Sequence, residues 1–150
     1  MASKKVSQEL PKGFEFVVFA QGERPSEFWL AMGPYFASEK VHKALPTLHD
    51  EPRNDVWFLG VVNGQLESFS CLRFTARGDS ATLAHHWANE PKRDAGIAAL
   101  MLDVRIDYAR DAGVKSLRSV VHNDSVPAFR RRGFVPTIER AHFTTMEIEF

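Results

Sequence analysis

The dipeptide Asn63-Gly64 constrains the fold of this chain more than any other feature of its sequence. Asn and Gly both tolerate the positive φ angles of a type I′ turn, which is the connection that suits a two-residue β-hairpin. Aromatic and β-branched residues flank the dipeptide in segments 56–62 and 65–74, as expected for two strands. A second turn at 77–80 and a further strand at 81–88 follow. The sequence therefore predicts a three-stranded antiparallel meander.

The hydrophobic period changes after this meander, from the alternation of a strand to the spacing of a helix. Apolar residues recur every three or four positions from Gly96 until Gly113, a glycine placed to end the helix. A short buried strand at 117–121 and a short helix at 126–132 are predicted next. The long helix connects the strand at 81–88 to the strand at 117–121, so these two strands are expected to lie parallel.

The remaining segments complete the predicted order β, α, α, β, β, β, α, β, α, β, β. Residues 14–19 predict a first strand, and the break at Gly33-Pro34 predicts two short helices in place of one long one. Two final strands are expected near 134–138 and 144–150. The order predicts a mixed α/β (α+β) fold, with a central, mostly antiparallel sheet, one parallel βαβ unit and helices on both faces.

Composition supports a single domain over residues 1–150, with residues 1–12 as a loose N-terminal arm. The chain is 44% hydrophobic and has 150 residues, enough to bury a core without disulfides or metals. Cys71 is its only cysteine, which excludes an intramolecular disulfide framework and a site of several thiolates. No apolar run has the length of a membrane helix or a signal peptide, so a cytoplasmic protein is expected. The oligomeric state is left open, a homodimer included.

The junction between the meander and the long helix is the best candidate for a binding site. The first N–H groups of a helix lack internal partners and carry a partial positive charge, so they attract anions such as phosphate. Small residues let an anion approach these groups here: Ala95, Gly96 and Ala98. An ordinary tight turn explains the same residues. Neither the P-loop nor the G-x-G-x-x-G pattern occurs, which weighs against nucleotide hydrolysis and nicotinamide chemistry.

Two segments resemble one known family. Residues 93–98, Arg-Asp-Ala-Gly-Ile-Ala, resemble the [Q/R]-x-x-G-x-[G/A] signature of the GNAT superfamily of N-acyltransferases. Residues 123–134 are similar to that family's N-x-x-A-x-x-x-Y-x-x-x-G-F segment. The specific resemblance covers about residues 86–134, and the order of elements extends it to most of the chain.

The resemblance implies an acetyl-CoA-dependent N-acetyltransferase that acts on a primary amine by direct transfer in a ternary complex. It implies that the diphosphate is held by Arg93, Asp94, Ala95, Gly96, Ile97 and Ala98. It implies that backbone groups of His86 and Ala88 meet the thioester and the pantetheine arm, with Asn123 beside that arm or the phosphates and Phe129 near the far end. Residues 88–134 carry nine Lys and Arg against six Asp and Glu, which suits a polyanion. No metal is expected.

The catalytic residues are less well defined, because this chain departs from the family pattern. Phe129 stands where many members have a tyrosine acid, and Thr82 where some have a glutamate base. Candidate bases are His85, His86, Glu90 and His122; strand alternation puts His85 and His86 on opposite faces. We favour His86, at the strand end where the thioester is expected, and place His122 second.

An acceptor pocket is predicted near the Gly33-Pro34 break, where Met32, Tyr35 and Phe36 are its candidate residues; the same spacing is typical of plain core residues. Two other functions stay open. One is a GNAT-like acyl-CoA-binding or regulatory module with little activity, which Phe129 and Thr82 favour. The other is a nucleic-acid-directed protein that uses Lys92, Arg93 and the arginines at 130–132, although zero net charge argues against bulk binding of nucleic acid or of an anionic membrane.

Overall fold

Seven strands and four α-helices make up the computed structural model, which describes residues 10–91 and 95–150. The strands are β1 Phe14–Phe19, β2 Asp55–Val62, β3 Gln65–Phe74, β4 Ser80–Ala88, β5 Ser116–His122, β6 Val135–Glu139 and β7 Phe143–Glu149. The helices are α1 Ser26–Phe36, α2 Glu39–Ala44, α3 Ala95–Asp111 and α4 Val126–Arg130. The order along the chain is the predicted one. Most of the predicted N-terminal arm, residues 1–9, lies outside the described residues.

The strands form one mixed sheet in the spatial order β1-β2-β3-β4-β5-β7-β6. All neighbours are antiparallel except β4 and β5, which are parallel on either side of α3, as predicted. At the turn between β2 and β3, Asn63 has φ 50° and Gly64 has φ 79°, the left-handed values that the dipeptide predicts.

Helices cover both faces of this sheet, as predicted. On one face, α1 and α2 bury Phe28, Met32 and Val41 against β2 and β3. On the other face, α3 buries Leu102 and Ile106 against β2 to β5. The predicted mixed fold, with one parallel βαβ unit, is confirmed.

The break between the first two helices lies beyond its predicted position. Helix α1 continues through Gly33-Pro34 to Phe36, and the chain turns only at Ala37 and Ser38. Proline removes the N–H that would bond to the Leu30 carbonyl, but Leu30 is exposed, so water can replace that bond. The second helix begins where Ser38 caps it, its hydroxyl accepting a hydrogen bond from the Val41 N–H at 3.2 Å. The prediction of a break at Gly33-Pro34 is therefore wrong, and that of two short helices is right.

A β-bulge in β4 decides which side chains face α3. Ser70 of β3 pairs with His86, and Leu72 pairs with Leu83, so two residues of β4 lie opposite the single residue Cys71. The bulge places Leu83 and His86 on the α3 face, and Ala84 and His85 on the α1 face. His85 and His86 therefore point to opposite faces, as predicted.

The parallel pair β4–β5 is short, and this opens the sheet at its centre. Backbone pairing joins only Ser80, Ala81 and Thr82 to residues 116–118 of β5. Beyond these pairs the two strands diverge, and no register pair joins the later part of β4 to the later part of β5. A wedge-shaped opening therefore begins at the middle of the sheet and widens towards the carboxyl ends of both strands.

His85 is buried by its position on the α1 face, and its protonation opposes folding. Its ring stacks on Trp57 with centroids 6.1 Å apart, and its Nε2 atom has no hydrogen-bond partner among the described residues. Burial, with the charge of Arg73 as a smaller cause, lowers the pKa of His85 from 6.5 to about 4. The unfolded chain therefore takes up this proton at a higher pH than the folded chain, and stability is lost as the pH falls from 6.5 towards 4.

We predict that His85→Phe removes this component of acid sensitivity, because phenylalanine keeps a ring on Trp57 and cannot titrate. Urea denaturation at pH 7, 6, 5 and 4 measures the free energy of unfolding. Between pH 7 and pH 4 the wild type is expected to lose about 2–4 kcal/mol more than the variant. Equal losses in the two proteins would show that His85 is already protonated in the folded state or that its protonation is not coupled to folding.

Candidate active site

A cavity of about 450 Å³ occupies the opening between β4 and β5 on the α3 face. Its walls come from both strands and from α3 and α4, and its lining is partly polar and partly apolar. The lining residues that bear on function are His86, Ala98, Arg105, Ser119, His122 and Phe129. The candidate site is thus built by the divergence of two strands in the middle of a sheet, the kind of crevice that ligands often occupy.

The structure brings together four of the residues predicted for catalysis and cofactor binding. His86, Ala98, His122 and Phe129 line the cavity. Gly96 and Ile97 are buried in the first turn of α3, immediately before Ala98. Ala88 ends β4 outside the lining residues. Arg93 and Asp94 lie outside the described residues, and only the helical backbone of Ala95 is described, so the predicted phosphate loop is only partly visible.

A hydrogen bond to Ser70 of β3 holds the His86 ring in place. The Oγ atom of buried Ser70 lies 2.6 Å from His86 Nδ1, and 3.1 Å from the Sδ atom of Met101 on α3. Ser70 has one hydroxyl proton, and when it points at the sulfur, His86 donates from Nδ1 to Ser70 and carries its lone pair on Nε2. The histidine is half-buried on the cavity wall. The contact with Ser70 therefore orients the His86 ring on the cavity wall.

His122 and Asn123 follow one another at the end of β5 but differ in their surroundings. The exposed ring of His122 accepts a hydrogen bond at Nδ1 from the Asp124 N–H, 3.2 Å away, and contacts Phe143 edge-on. Asn123 is not a lining residue. Its amide donates to the carbonyls of residues 140 and 141 and accepts a hydrogen bond from the Thr144 hydroxyl at 2.7 Å. Its side chain therefore holds the turn between β6 and β7 in this structure.

Arg105 is the main site residue that the sequence did not predict. It lies on α3 in line with Ala98 and Leu102, at helical spacing, and is only 6% exposed. Its Nε donates to the Met101 carbonyl at 3.3 Å, and its NH1 donates to the Cys71 carbonyl at 3.1 Å. Burial lowers the pKa of Arg105 to about 10, so the guanidinium stays charged at neutral pH. A charged residue within an apolar helical row was the signal available in the sequence.

The far wall of the cavity is provided by α4. Phe129 packs edge-on against Phe134, with centroids 5.2 Å apart, and offers only a hydrocarbon ring to the cavity. Arg132 is paired with Asp103 of α3 at 2.6 Å, which fastens the two helices together. This wall is therefore fixed by packing and an ion pair, and at Phe129 it carries no acid.

The predicted acceptor residues lie on the opposite face of the sheet. Met32 is completely buried in the core, and Phe36 packs against Trp57 within the same cluster. Tyr35 lies beside a second cavity, of about 540 Å³, where the Asn89 amide donates to its hydroxyl at 3.0 Å. Of the three, Tyr35 is the one that lines this cavity.

Residues 10–91 and 95–150 contain no group of three or more His, Cys, Asp or Glu side chains placed to hold a metal ion. None of the helices in this part of the chain is both long and apolar enough to cross a membrane.

Comparison with solved structures identifies the fold. No family model and no curated protein matches the sequence. The structure is similar to ElaA from Escherichia coli, with a TM-score of 0.72 at 13% identity over 91% of this chain and 99% of that one. It is similar to the ribosomal-protein-S18-alanine N-acetyltransferase from Escherichia coli, with a TM-score of 0.64 at 16% identity over 90% and 94% of the two chains.

A third similar structure is a GNAT family acetyltransferase from Elizabethkingia anophelis with acetyl-CoA bound. Its TM-score is 0.59 at 14% identity, and the match covers 93% of this chain and 100% of that one. Identities this low carry information about the fold alone. The chain has a GNAT-like fold, as the resemblance of residues 86–134 predicts.

Proposed function

We propose that this protein is an N-acyltransferase that moves an acyl group, acetyl in the simplest case, from a coenzyme A thioester to a primary amine. The observation that carries the proposal is the divergence of β4 from β5: the register pairs between them end at Thr82 and Arg118, so the facing edges of the two strands separate in the centre of the sheet. Buried backbone N–H and C=O groups require hydrogen bonds, and an extended amide-bearing arm supplies them as an added strand does. The pantetheine arm of coenzyme A is such a ligand.

The position of the cavity also suits the diphosphate of coenzyme A. Its lining begins at Ala98 in the first turn of α3, beside the buried residues Gly96 and Ile97. A diphosphate at this turn would meet the N–H groups that have no helical partner, and small residues allow the close approach. We assign the diphosphate to residues 93–98 and the pantetheine arm to the gap between β4 and β5. Asn123 is assigned to that arm only through its backbone, because its side chain is engaged elsewhere.

The reaction needs one base and a polar environment. The neutral amine nitrogen attacks the carbonyl carbon of the thioester, a C–N bond forms, the C–S bond breaks, and the sulfur leaves with the bonding electrons. The nitrogen loses one proton to a base, and the thiolate gains one proton. No cysteine serves as a covalent carrier in this proposal, since Cys71 is fully buried. Transfer is therefore direct, within a ternary complex.

We assign the base to His86. It lines the cavity, its ring is oriented by Ser70, and the tautomer that donates to Ser70 has a basic Nε2. His122 is the second candidate, at the more exposed end of β5. Phe129 has no proton to donate, so the departing thiolate must receive its proton from solvent or from the protonated base. Tyr35 is the acceptor-side residue that we retain, and the amine itself is unidentified.

We predict that Gly96→Asp abolishes the binding of acetyl-CoA, because it places a carboxylate and added bulk where the diphosphate would approach. Titration calorimetry is expected to show at least a hundredfold weaker binding, or none. Gly33→Asp is the matched control, since a side chain at Gly33 in α1 meets nothing within 4 Å. Melting curves establish that both variants fold. An unchanged affinity in a folded Gly96→Asp variant would overturn the cofactor site.

We predict that His86→Ala lowers kcat about a hundredfold or more while the Kd for acetyl-CoA changes less than about threefold, because a general base acts on the rate and not on binding. Turnover is measured as free thiol released with acetyl-CoA across an amine panel, and products are verified by mass. A normal rate in His86→Ala with a slow His122→Ala would move the base to His122. Binding of acetyl-CoA with no turnover of any amine would favour the regulatory module instead.

A further inference from the structure

Arg105 is a buried cation without a buried anion. Among the described residues, no carboxylate forms an ion pair with it, and its two side-chain hydrogen bonds go to backbone carbonyls. A buried charge that lacks a counter-charge destabilises a fold by several kcal/mol, so such a group calls for an explanation. The other strongly buried arginine of the described chain, Arg24, is paired: it contacts Asp50 at 2.8 Å, and both side chains are less than a tenth exposed.

A structural role accounts for only some of the N–H donors of the Arg105 guanidinium. The β-bulge places Ala84 and His85 opposite Cys71, and Arg105 donates to the Cys71 carbonyl at that irregularity. A guanidinium has five N–H donors in a planar fork, and two of them are used in this way. Hydrogen bonds to these two carbonyls do not require a charge, because neutral donors would serve. The remaining donors belong to a residue that lines the cavity.

The position of Arg105 in the cavity distinguishes it from a phosphate ligand. It follows Ala98 by seven residues on α3, so it lies about 10 Å further along the helix axis, away from the first turn. Towards that end the cavity is closed by the paired residues 80–82 and 116–118 of β4 and β5. Leu83, the residue after the last pair on β4, and Ser119, its counterpart on β5, line the cavity there. Arg105 therefore lies at the closed end, where the acyl group and not the diphosphate is expected.

We propose that Arg105 binds a carboxylate at the end of the acyl group, so that the preferred donor is a coenzyme A monothioester of a short dicarboxylic acid, such as malonyl-CoA or succinyl-CoA. The inference rests on the proposed function, because it assumes a coenzyme A thioester in this cavity. A carboxylate accepts two parallel hydrogen bonds from the guanidinium fork and supplies the missing negative charge. The buried hydroxyl of Ser119 lines the same cavity and offers one more donor.

The chemistry of transfer is unchanged by this assignment. The amine forms a C–N bond at the thioester carbonyl carbon, the C–S bond breaks, and one proton passes from nitrogen to the departing sulfur through the base. The distal carboxylate takes no part and appears unaltered in the product, which is an amide with a free acid. The modified amine thus changes from a cation to an anion, which an acetyl group would not achieve.

The first test needs only the wild-type protein. Calorimetry gives the Kd of two thioester pairs of matched chain length, malonyl-CoA with butyryl-CoA and succinyl-CoA with pentanoyl-CoA, together with acetyl-CoA. The acid member of at least one pair is expected to bind about tenfold to a hundredfold more tightly than its neutral partner, as charged hydrogen bonds in a buried site predict. Equal or weaker binding of both acids would overturn the inference while the proposed function stands. Failure of all five thioesters to bind would overturn the proposed function.

The second test assigns the preference to Arg105. In Arg105→Met the ratio of the neutral to the acid Kd is expected to fall to about one, and in Arg105→Lys it is expected to fall but stay above one, since the charge remains without the fork. Arg110→Met is the matched control: Arg110 lies on the same helix, is exposed, pairs with Asp107, and is expected to keep the wild-type ratio. If Arg105→Met does not melt cooperatively, the Lys variant decides, and an unchanged ratio there contradicts the assignment.

Discussion

The divergence of β4 from β5 is the constraint on which the rest of the structure depends. A sheet normally satisfies its central backbone groups by pairing along the whole length of each strand. Here pairing stops after three residues, yet β4 continues to Ala88 and β5 to His122. The sheet tolerates the opening because β5 is held on its other side by seven register pairs with β7. The same opening creates the cavity, determines which residues line it, and leaves a row of backbone groups suited to an extended ligand.

The bulge in β4 completes this arrangement, and it also marks the limit of what the sequence predicts. The order of elements follows from local signals, such as the Asn63-Gly64 turn and the change of period at Gly96, because these depend on near neighbours. The bulge depends on pairing with β3, and Ala84 and His85 carry no residue type that demands it. Without the bulge, strict alternation would put His86 on the α1 face, in the core between α1 and the sheet. The opposite orientation of His85 and His86 was therefore predictable, but the face that each one occupies was not.

Part of the candidate site could likewise be predicted from the sequence, and part could not. The first turn of α3 could be predicted from the sequence, because a helix start is a local feature with known chemistry, and the family resemblance drew His86 and Phe129 to the same site. Arg105 could not, since an arginine on a long helix is exposed in most proteins, and only the packing of α3 over the bulge buries it. The ligand contact that the resemblance implies for Asn123 stays a prediction; what the sequence did not show is that the turn between β6 and β7 brings the carbonyls of residues 140 and 141 within reach of its amide. Tertiary contacts, which the sequence does not show, thus decide the surroundings of both side chains.

The distribution of buried charge bears on how the site works. On the α1 face, arginines are neutralised within the fold: buried Arg24 pairs with Asp50, and partly exposed Arg73 pairs at 2.7 Å with Asp55, which is completely buried. On the α3 face, Arg105 has only carbonyl dipoles as partners within the described chain. Both faces belong to one sheet, so the difference lies in what surrounds each arginine: carboxylates of the fold beside Arg24 and Arg73, and a cavity open to ligands beside Arg105. A counter-ion built into the protein would cancel the field of Arg105 inside that cavity, whereas its absence leaves the positive charge to act on the ligand that enters. Under the proposed function, an anionic acyl group would therefore gain more from this cavity than a neutral one of the same size, and a lysine at the same place would lose the bidentate geometry even though it kept the charge.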